Sequence, residues 1–361
     1  MNAGPTVLFQ SHNRRGLGHL MRGLNIAREV VALRPDAHVV MHTRNGSAPQ
    51  FCPAGVTCLV DTESGSTGWR NALSSLDPDV VVYDTLAPSA PDDEPLPAGA
   101  RVIYVMRRTV DAEHARLLAS GFLDRCHAIV VPHSRDEFGH DVPSSLRQRT
   151  VFVGTIARRP DSAGIEQVRR AYGLRRGVPL LVSTAGGGGF ADTAVPFFDA
   201  VVAAHRRLVA RLGSEIQHVV VLGPNYAGEL PPLPGAHVRR VEPQLVNLFA
   251  LADLVLCEAG YNTVSELRLL GVPAVFVPGR RRLDDQAERV TALARAGSAR
   301  VLNPAPAEVA AEVTGLLADP ARLSAMRRHA HAGRLVPGNH AAARLVLGSR
   351  AFTNRAPEFA T

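Results

Sequence analysis

A stretch in the second half of the chain places a glycine turn, a helix and a charged loop in the order of a ligand site. Residues 253–286 predict a strand over 254–257, a helix over 262–270 and a second strand over 273–277. Both strands are short apolar runs, as expected for parallel strands that are covered on both faces. The helix therefore begins at the carboxyl edge of a strand, where its free N–H groups and positive dipole end suit an anion.

Polar side chains in this stretch could contact such a ligand. Asn262 is predicted to cap the helix, and helical spacing places Glu266 at the margin of the core-facing stripe, where it could reach a ligand's hydroxyl groups. A solvated glutamate favoured by the helix dipole is the alternative for Glu266. The loop over 278–286 adds three arginines at 280–282, two aspartates and Gln286, and these charges favour a charged ligand over a solvated basic turn.

The amino-terminal region has a glycine-containing loop of its own. A strand over 6–11 is followed by a loop through Gly16 and Gly18 and by a helix over 19–33. Glycines let a backbone approach a ligand closely, although the spacing is not the G-x-G-x-x-G of dinucleotide-binding proteins. His19 opens the helix, where it could act as a catalytic base or be only a helix-start residue.

Strands and helices alternate through the rest of the first half, which predicts a doubly wound parallel sheet. Asp84 ends one strand and an Arg-Arg-Thr run at 107–109 ends the next, so both face the same edge as His19. Asp84 could orient or assist a base, or be only a turn residue. The piece over 88–97 is predicted to be an exposed loop. Strands are predicted at 38–42, 57–60, 80–83, 101–105, 128–131 and 151–153, and helices at 69–76 and 112–122.

A second series of strands and helices follows residues 154–162, which are interpreted as a hinge. Its first strand, over 180–184, leads into a run of four glycines before a long helix: Gly186, Gly187, Gly188 and Gly189. Such a run in front of a helix lets backbone N–H groups reach a phosphate, and a flexible linker is the alternative. Further strands are predicted at 219–222, 238–241 and 299–302. Further helices are predicted at 244–252, 284–295 and 341–347, and the chain between the strand at 299–302 and residue 328 is also predicted to be helical.

Composition sets limits on the class of protein. The chain has 361 residues, enough for two domains, and 46% of them are hydrophobic. No apolar run approaches the roughly 18 residues of a membrane-spanning helix, and the amino terminus does not resemble a leader, so we expect a cytoplasmic protein. The cysteines form no C-x-x-C pair, and we expect neither a disulfide nor a structural metal. They are Cys52, Cys58, Cys126 and Cys257.

The net charge of +7, carried entirely by arginine, favours anionic partners. These could be nucleotide diphosphates, anionic lipid surfaces or nucleic acid. The basic residues are scattered and only 5% of residues are aromatic, so nucleic acid is not expected. A peripheral membrane contact stays open.

Residues 253–286 resemble the donor-binding half of MurG-type glycosyltransferases, in which a glycine turn, a T-x-x-E helix, a G-x-P strand and a D/Q-Q loop follow one another. The run GLGHLMR at 16–22 is similar to the G-L-G-H-x-x-R loop of predicted bacterial glycosyltransferases. Over residues 45–150 the resemblance is vague. It implies the α/β architecture called GT-B, in which two Rossmann-like, doubly wound parallel-sheet domains face each other across a cleft.

The resemblance also implies a different role for each part of the chain. Residues 1–155 would bind the acceptor and residues 163–335 the nucleotide sugar, while residues 336–361 would form a helix and tail packed toward the first domain. His19 would be the base, with Asp84 assisting, and Glu266 would bind the ribose. The residues expected to bind the donor are Gly16, Gly18, Gly186, Gly187, Gly188, Gly189, Gly260, Asn262, Thr263, Glu266, Arg282, Asp285 and Gln286.

The implied activity is transfer of N-acetylglucosamine or a related hexose from a UDP-sugar to a small-molecule or lipid-linked acceptor, with inversion. No D-x-D motif ends a strand, so we expect neither a metal nor a cofactor beyond the donor itself. Two alternatives stay open: a UDP-N-acetylglucosamine 2-epimerase and a nucleotide-sugar-binding protein without catalysis. The acceptor, the sugar, the nucleotide base and the oligomeric state are not indicated by the sequence.

Overall fold

The computed structural model describes residues 4–11, 16–63, 66–84, 96–97, 99–280 and 285–348. Arg282 lies outside the described residues, as does most of the predicted loop over 88–97.

The first domain is built on a parallel sheet of seven strands in the order β3-β2-β1-β4-β5-β6-β7. The order reverses between β1 and β4, because β2 and β3 extend the sheet on one side of β1 and the later strands extend it on the other. In open α/β sheets the carboxyl ends of two such strands form a crevice that binds ligands. The strands are β1 (Thr6–Ser11), β2 (His38–Thr43), β3 (Val56–Val60), β4 (Val80–Tyr83), β5 (Arg101–Val105), β6 (Ala128–Val131) and β7 (Thr150–Phe152).

The second domain repeats this plan with a parallel sheet of six strands in the order β10-β9-β8-β11-β12-β13. Here the order reverses between β8 and β11. The strands are β8 (Leu180–Thr184), β9 (Gln217–Val221), β10 (Ala236–Arg239), β11 (Leu254–Cys257), β12 (Ala274–Phe276) and β13 (Ala299–Val301). Strand β10 begins two residues before its predicted start at residue 238.

Helices connect the strands in both domains. In the first they are α1 (Gly18–Leu33), α2 (Thr67–Leu76), α3 (Asp111–Ala119), α4 (Arg135–Phe138) and α5 (Ser144–Arg147). In the second they are α6 (Ser162–Ala171), α7 (Ala191–Leu212), α8 (Leu245–Leu251), α9 (Tyr261–Leu270), α10 (Gln286–Arg295), α11 (Pro306–Leu317) and α12 (Pro320–Ala332), followed by α13 (Asn339–Val346). Helix α6 is not predicted by the sequence pattern; Asp161 caps it by accepting the Gly164 N–H at 2.6 Å.

The central strands of each sheet are buried on both faces, as their unbroken apolar runs predict, whereas the edge strands β3 and β10 are partly exposed. In β1, Val7 and Phe9 belong to the core cluster on one face, and Leu8 belongs to the cluster on the other. The helix-covered faces leave the strand ends as the places where polar side chains can meet a ligand.

The last helix, α13, packs against the first domain. Ala342 and Val346 lie in the same core cluster as Leu20 and Leu24 of α1. Arg101, at the start of β5, donates to the carbonyl oxygens at the end of α13 at 3.2 and 3.3 Å. The chain therefore passes between the two domains twice.

Those two passages are hydrogen-bonded to each other. The Gly338 N–H donates to the Thr155 carbonyl at 2.8 Å. The Asn339 side chain accepts from the Ala157 N–H at 3.0 Å and donates to the Ala157 carbonyl at 2.8 Å. A side chain at Gly338 would collide with the Val153 carbonyl, so the two segments lie in direct contact.

The expectation that no disulfide forms is wrong for one pair. Cys52 and Cys58 are joined, with their Cα atoms 6.3 Å apart and the two residues six positions apart in the sequence. Cys52 lies in the turn before β3 and Cys58 on that strand, so the turn brings together two cysteines that a search for C-x-x-C spacing misses. Cys126 and Cys257 are buried free thiols.

Within the part of the chain that the structure describes, none of the helices combines the length and the hydropathy needed to cross a bilayer.

Candidate functional site

The carboxyl edges of the two sheets face each other across a cavity of about 390 Å³. It receives side chains and backbone from both reversal points, β1 and β4 in the first domain and β8 and β11 in the second. Twelve of the predicted site residues line it: Gly16, Gly18, His19, Gly186, Gly187, Gly188, Gly189, Gly260, Asn262, Thr263, Glu266 and Gln286. The structure thus gathers most of the predicted site into one place.

His19 and Asp84 form a buried pair on the first-domain side. His19 starts α1 directly after β1, and Asp84 follows β4, so the strand order brings them together from positions 65 residues apart. The His19 Nδ1 lies 2.7 Å from the Asp84 Oδ1. An ionised carboxylate can only accept, so Nδ1 carries the ring proton and the lone pair is on Nε2.

Arg22 completes this group. Its Nε donates to the Asp84 Oδ2 at 2.8 Å, and its Nη2 donates to the Asp84 Oδ1. Nη2 is also 3.1 Å from the His19 Nδ1. Both of these nitrogens carry protons, so the last contact is a close approach and not a hydrogen bond.

Burial is the main reason that the His19 imidazole is neutral. Burial lowers the pKa of His19, Arg22 and Arg107 lower it further, and Asp84 opposes them without reversing the shift. For Asp84, burial alone would raise the pKa, but Arg22 and His19 hold it below its ordinary value. A neutral imidazole beside an ionised carboxylate is the protonation state that a general base requires.

The glycine loop after β8 forms part of the second-domain wall. Gly186 and Gly188 have φ of 65° and 66°, in the left-handed region that favours glycine. A Cβ at Gly188 would lie 2.6 Å from the Leu222 carbonyl oxygen, so the loop packs closely on the end of β9. The loop is therefore a fixed surface of backbone at the cavity and not a flexible linker.

Helix α9 presents its N-terminus to the same cavity. Its N-cap is Gly260, and no side chain caps it. The prediction that Asn262 caps the helix is wrong, because the helix begins one residue earlier at Tyr261 and Asn262 lies within its first turn. The Asn262 side chain instead donates to the Gly18 carbonyl of α1 at 3.1 Å, across the cleft.

Glu266 lies one turn further along α9 and is only 6% exposed. Its burial raises its pKa to about 8, with Arg158 acting in the opposite direction. The alternative of a solvated glutamate is therefore wrong. Near neutral pH, with no ligand bound, the carboxyl group is largely protonated.

The two described site candidates of the loop before α10, Asp285 and Gln286, make different contacts. The Gln286 side chain is buried and accepts from the Gly279 N–H at 2.9 Å. Asp285 is the N-cap of α10 and accepts from the Glu288 N–H at 2.9 Å. Among the described residues, Gln286 lines the cavity and Asp285 does not.

Several cavity-lining residues are not among the predicted site residues. Arg22 lies inside the GLGHLMR run, and Arg107 follows β5, so both carried a usable signal. Arg158 belongs to the segment interpreted as a hinge, and Tyr261 precedes the residue taken as the helix cap. All four line the cavity.

A metal site is not evident in the described ranges, where no group of three histidine, cysteine, aspartate or glutamate side chains could hold an ion.

Comparison with known proteins identifies relatives of both domains. Residues 188–338 match the family described as "Glycosyltransferase family 28 C-terminal domain". The chain is 32% identical over 275 residues to the UDP-N-acetylglucosamine–N-acetylmuramyl-(pentapeptide) pyrophosphoryl-undecaprenol N-acetylglucosamine transferase of Mycobacterium tuberculosis. The chain is therefore similar to the MurG-type glycosyltransferases. The match to the Mycobacterium tuberculosis enzyme spans 71% of this chain and 63% of the length of that enzyme.

Solved structures agree with the MurG-like architecture. MurG of Acinetobacter baumannii superposes with a TM-score of 0.54 at 16% identity, covering 95% of this chain and 99% of that one. The UDP-GlcNAc 2-epimerase of Neisseria meningitidis, solved with UDP-GlcNAc, gives a TM-score of 0.63 at 12% identity, with coverage of 95% and 99%. The expected GT-B fold is confirmed.

Proposed function

We propose that this protein is an inverting, metal-independent glycosyltransferase that moves N-acetylglucosamine or a related hexose from a UDP-sugar to a small-molecule or lipid-linked acceptor. The observation that carries the proposal is the convergence of two reversal points on one cavity. One contributes a neutral histidine paired with a buried aspartate, and the other contributes a glycine loop and an uncapped helix N-terminus.

The donor would lie against the second domain. Backbone N–H groups of Gly186–Gly189 and of the start of α9 suit the diphosphate, and Arg158, which lines the cavity, adds positive charge. Glu266 would accept hydrogen bonds from the ribose hydroxyls. As the nucleotide diphosphate leaves, negative charge builds on its oxygens, and fixed donors stabilise it without reorganising.

The acceptor would lie against the first domain, with its attacking hydroxyl at His19. Nε2 takes the hydroxyl proton as the oxygen bonds to the anomeric carbon, and the bond from that carbon to UDP breaks with its electron pair going to UDP. Attack from the face opposite the leaving group inverts the anomeric carbon. Asp84 holds the ring by accepting from Nδ1–H.

Metal independence is part of this proposal, because helix-terminal amides and arginines supply the positive charge that a divalent ion would otherwise supply. We expect full turnover after treatment with EDTA and dialysis. An enzyme that is inactive until Mg²⁺ or Mn²⁺ is restored would contradict this part of the proposal.

The rival activity is epimerisation at C2 of the sugar, because the Neisseria structure shares the fold and holds UDP-GlcNAc. The relatives from Mycobacterium and the match over residues 188–338 favour transfer. The third candidate, a binding protein without catalysis, would have no need for the buried His19–Asp84 pair.

A two-stage experiment tests the proposal. Thermal shift with a panel of nucleotides and nucleotide sugars should give the largest stabilisation with UDP and one UDP-sugar. That sugar is then incubated with lipid-pyrophosphoryl and small-molecule acceptors, and the products are analysed. Release of UDP coupled to a glycosylated acceptor supports transfer. Formation of UDP-N-acetylmannosamine without any acceptor would replace the proposal with epimerisation.

For the whole molecule, we propose that residues 1–155 bind the acceptor and residues 163–335 the UDP-sugar. Residues 336–361 would complete the first domain. We propose a cytoplasmic protein that contacts membranes only peripherally, since the net charge of +7 favours anionic surfaces.

A further inference from the structure

Arg22 occupies a position that neither substrate explains. It follows His19 by three residues on α1, so both side chains lie on one face of the helix. It is only 1% exposed. Its guanidinium binds both oxygens of Asp84, the same carboxylate that holds the His19 ring.

The other side of the guanidinium faces the second domain. The Arg22 Cζ lies 5.4 Å from the centre of the Tyr261 ring, within the range of a cation–π contact. Tyr261 is the first residue of α9, the helix whose N-terminus lines the cavity. Arg22 is thus in contact with both halves of the site.

The Tyr261 ring is itself held in place by the first domain and by the connection between domains. Its hydroxyl donates to the Pro132 carbonyl at 2.6 Å, at the end of β6, and accepts from the Ile156 N–H at 3.2 Å. Beside it, Asn262 donates to the Gly18 carbonyl. The start of α9 is therefore fixed to the start of α1 at two adjacent residues.

We infer that Arg22 is a positioning residue that joins helix α9 to the His19–Asp84 pair and keeps the Asp84 carboxylate ionised and aimed at the His19 Nδ1–H. This inference rests on the proposed function only for the use made of His19 as a base. Arg22 does not need to touch either substrate in this role.

The buried Asp84 carboxylate requires a charged partner. An ionised carboxylate that is 1% exposed is costly unless it is paired and fully hydrogen-bonded. The charged groups around His19 are Asp84, Arg22 and Arg107, and Tyr104 and Tyr261 face Arg22 as neutral phenols. Removing Arg22 would leave one buried negative charge beside the imidazole and only the more remote Arg107 to oppose it.

The consequence is a change in the protonation of the pair. Without Arg22, the His19–Asp84 pair should take up a proton at a higher pH, whichever of the two groups binds it. The form with neutral His19, protonated at Nδ1, and ionised Asp84 would then begin to be lost at a higher pH than in wild type. Arg22 therefore preserves the competent form of the base.

Nuclear magnetic resonance of protein labelled with ¹³C in its histidine rings tests this without any substrate. The His19 signal is assigned by its disappearance in His19→Gln. Wild type should show a neutral, Nδ1-protonated ring through the neutral range. In Arg22→Gln the titration of His19 should move up by about one pH unit or more, because an adjacent charge shifts a pKa by that amount.

Two further variants separate charge from geometry. Arg22→Lys retains the charge but lacks the planar fork, so we expect a smaller shift in the same direction. Arg28→Gln removes an exposed arginine from the same helix and should leave the His19 titration unchanged. Should Arg22→Gln not fold, as judged by circular dichroism, the Arg22→Lys result decides alone.

The link to α9 is tested at Tyr261. Tyr261→Phe keeps the ring above Arg22 and should preserve the His19 titration, whereas Tyr261→Leu removes the ring and should shift it in the direction of Arg22→Gln. A wild-type titration and tautomer in folded Arg22 variants would overturn the inference. Equal titrations in the two Tyr261 variants would overturn its link to α9. Failure of sugar transfer with these titrations as expected would contradict the proposed function alone.

Discussion

The His19 imidazole presents one nitrogen to the cleft because the other is held by a carboxylate that is itself buried. Asp84 is 1% exposed, so its hydrogen bonds are not exchanged with water. In the proposed role of base, a ring fixed in this way would lose little entropy on reaching the transition state. Its contribution should therefore appear in turnover and not in donor binding.

We expect His19→Ala to lower kcat by about 10²–10⁴-fold while the affinity for UDP stays nearly unchanged. Steady-state kinetics and calorimetry measure the two quantities. His38→Ala, an exposed histidine at the start of β2, is the matched control and should behave as wild type. Near-normal turnover at saturating donor and acceptor would mean that the base lies elsewhere, with Asp84 the next candidate.

Glu266 should release a proton when UDP binds. Its pKa of about 8 leaves it mostly protonated at pH 7. Ribose hydroxyls that donate to the carboxylate stabilise the ionised form, so binding lowers this pKa and affinity should rise as pH approaches 8. Calorimetry at pH 7 in buffers of different ionisation heat should show the release in wild type and not in Glu266→Gln.

The exposed Glu308 on α11 provides the control, and Glu308→Gln should release protons as wild type does. Glu266→Ala should also weaken UDP binding by about 1–3 kcal/mol, because the ribose hydroxyls are left without their acceptor. Heats of binding that do not depend on the buffer in wild type would remove Glu266 from the ribose site.

For individual residues, the sequence predicts the position in a strand, loop or helix better than the side-chain contacts. The sequence predicts Asp84 at a strand end and His19 at the start of the first helix, since apolar runs mark where strands stop. Their direct contact depends on β4 lying next to β1, and no local pattern encodes that order. Asn262 has a typical capping side chain, but tertiary contact with Gly18 takes its amide away from the helix end.

The start of helix α9 and the glycine loop after β8 are proposed to contact the donor diphosphate through backbone groups and not through side chains. Helix α9 has a glycine as its N-cap, and the loop after β8 has left-handed glycines packed against the end of β9. Neither can be adjusted by changing rotamers. Such a surface suits a ligand group of fixed shape and charge, which a diphosphate is.

Gly187→Val should therefore weaken UDP binding by about tenfold or more and change uridine binding little. The added side chain would obstruct the approach of the phosphates only. Calorimetry with both ligands gives the ratio, and uridine serves as the internal control. Equal losses for UDP and uridine would indicate that the loop, or the domain, had misfolded.

Element boundaries show where sequence patterns are weakest. The strands β1, β4, β5, β6, β8 and β11 match their predicted ranges, because buried parallel strands have unbroken apolar runs. Strand β10 has mainly exposed residues, so its pattern is faint. Helix α6 is not evident in the sequence because its composition is mainly polar and its start lies in a Pro-Asp-Ser run at 160–162, within the segment interpreted as a hinge.

In the whole molecule, ion pairs as well as the α1–α9 contacts join the two domains across the cleft. Arg108 after β5 binds Glu288 of α10 at 2.6 Å, and Arg268 of α9 binds Glu137 of α4 at 2.7 Å. Both pairs are partly exposed. Each is therefore worth about 0.2–1 kcal/mol and is weakened by salt.

Arg108→Glu should shift the domains toward an open state, because it places two carboxylates at this contact. A change of about 1 kcal/mol alters the open-to-closed ratio about fivefold. Small-angle scattering without ligand should show a larger radius of gyration, and Arg108→Glu combined with Glu288→Arg should restore it. Arg176→Glu, which opposes Glu166 within the second domain, should leave the radius unchanged. An unchanged radius in Arg108→Glu would mean that the pair does not hold the cleft.

The sequence predicted the two-domain plan and the facing edges, since two series of strands and helices of similar length are visible in it. It could not predict how closely the domains approach. That distance follows from contacts such as Tyr261 with Pro132, between residues 129 positions apart.

The paired passages between the domains restrict how the molecule can move. The two interdomain segments lie side by side and are joined by hydrogen bonds through Gly338–Thr155 and Asn339–Ala157, so together they form a two-stranded connection that resembles a flat strap. Such a strap bends readily about one axis and resists torsion. We therefore expect the two walls to separate and meet along a single arc, which would return a ligand on the second domain to the same alignment with His19. A protease that nicked one passage would leave the halves tethered through the other.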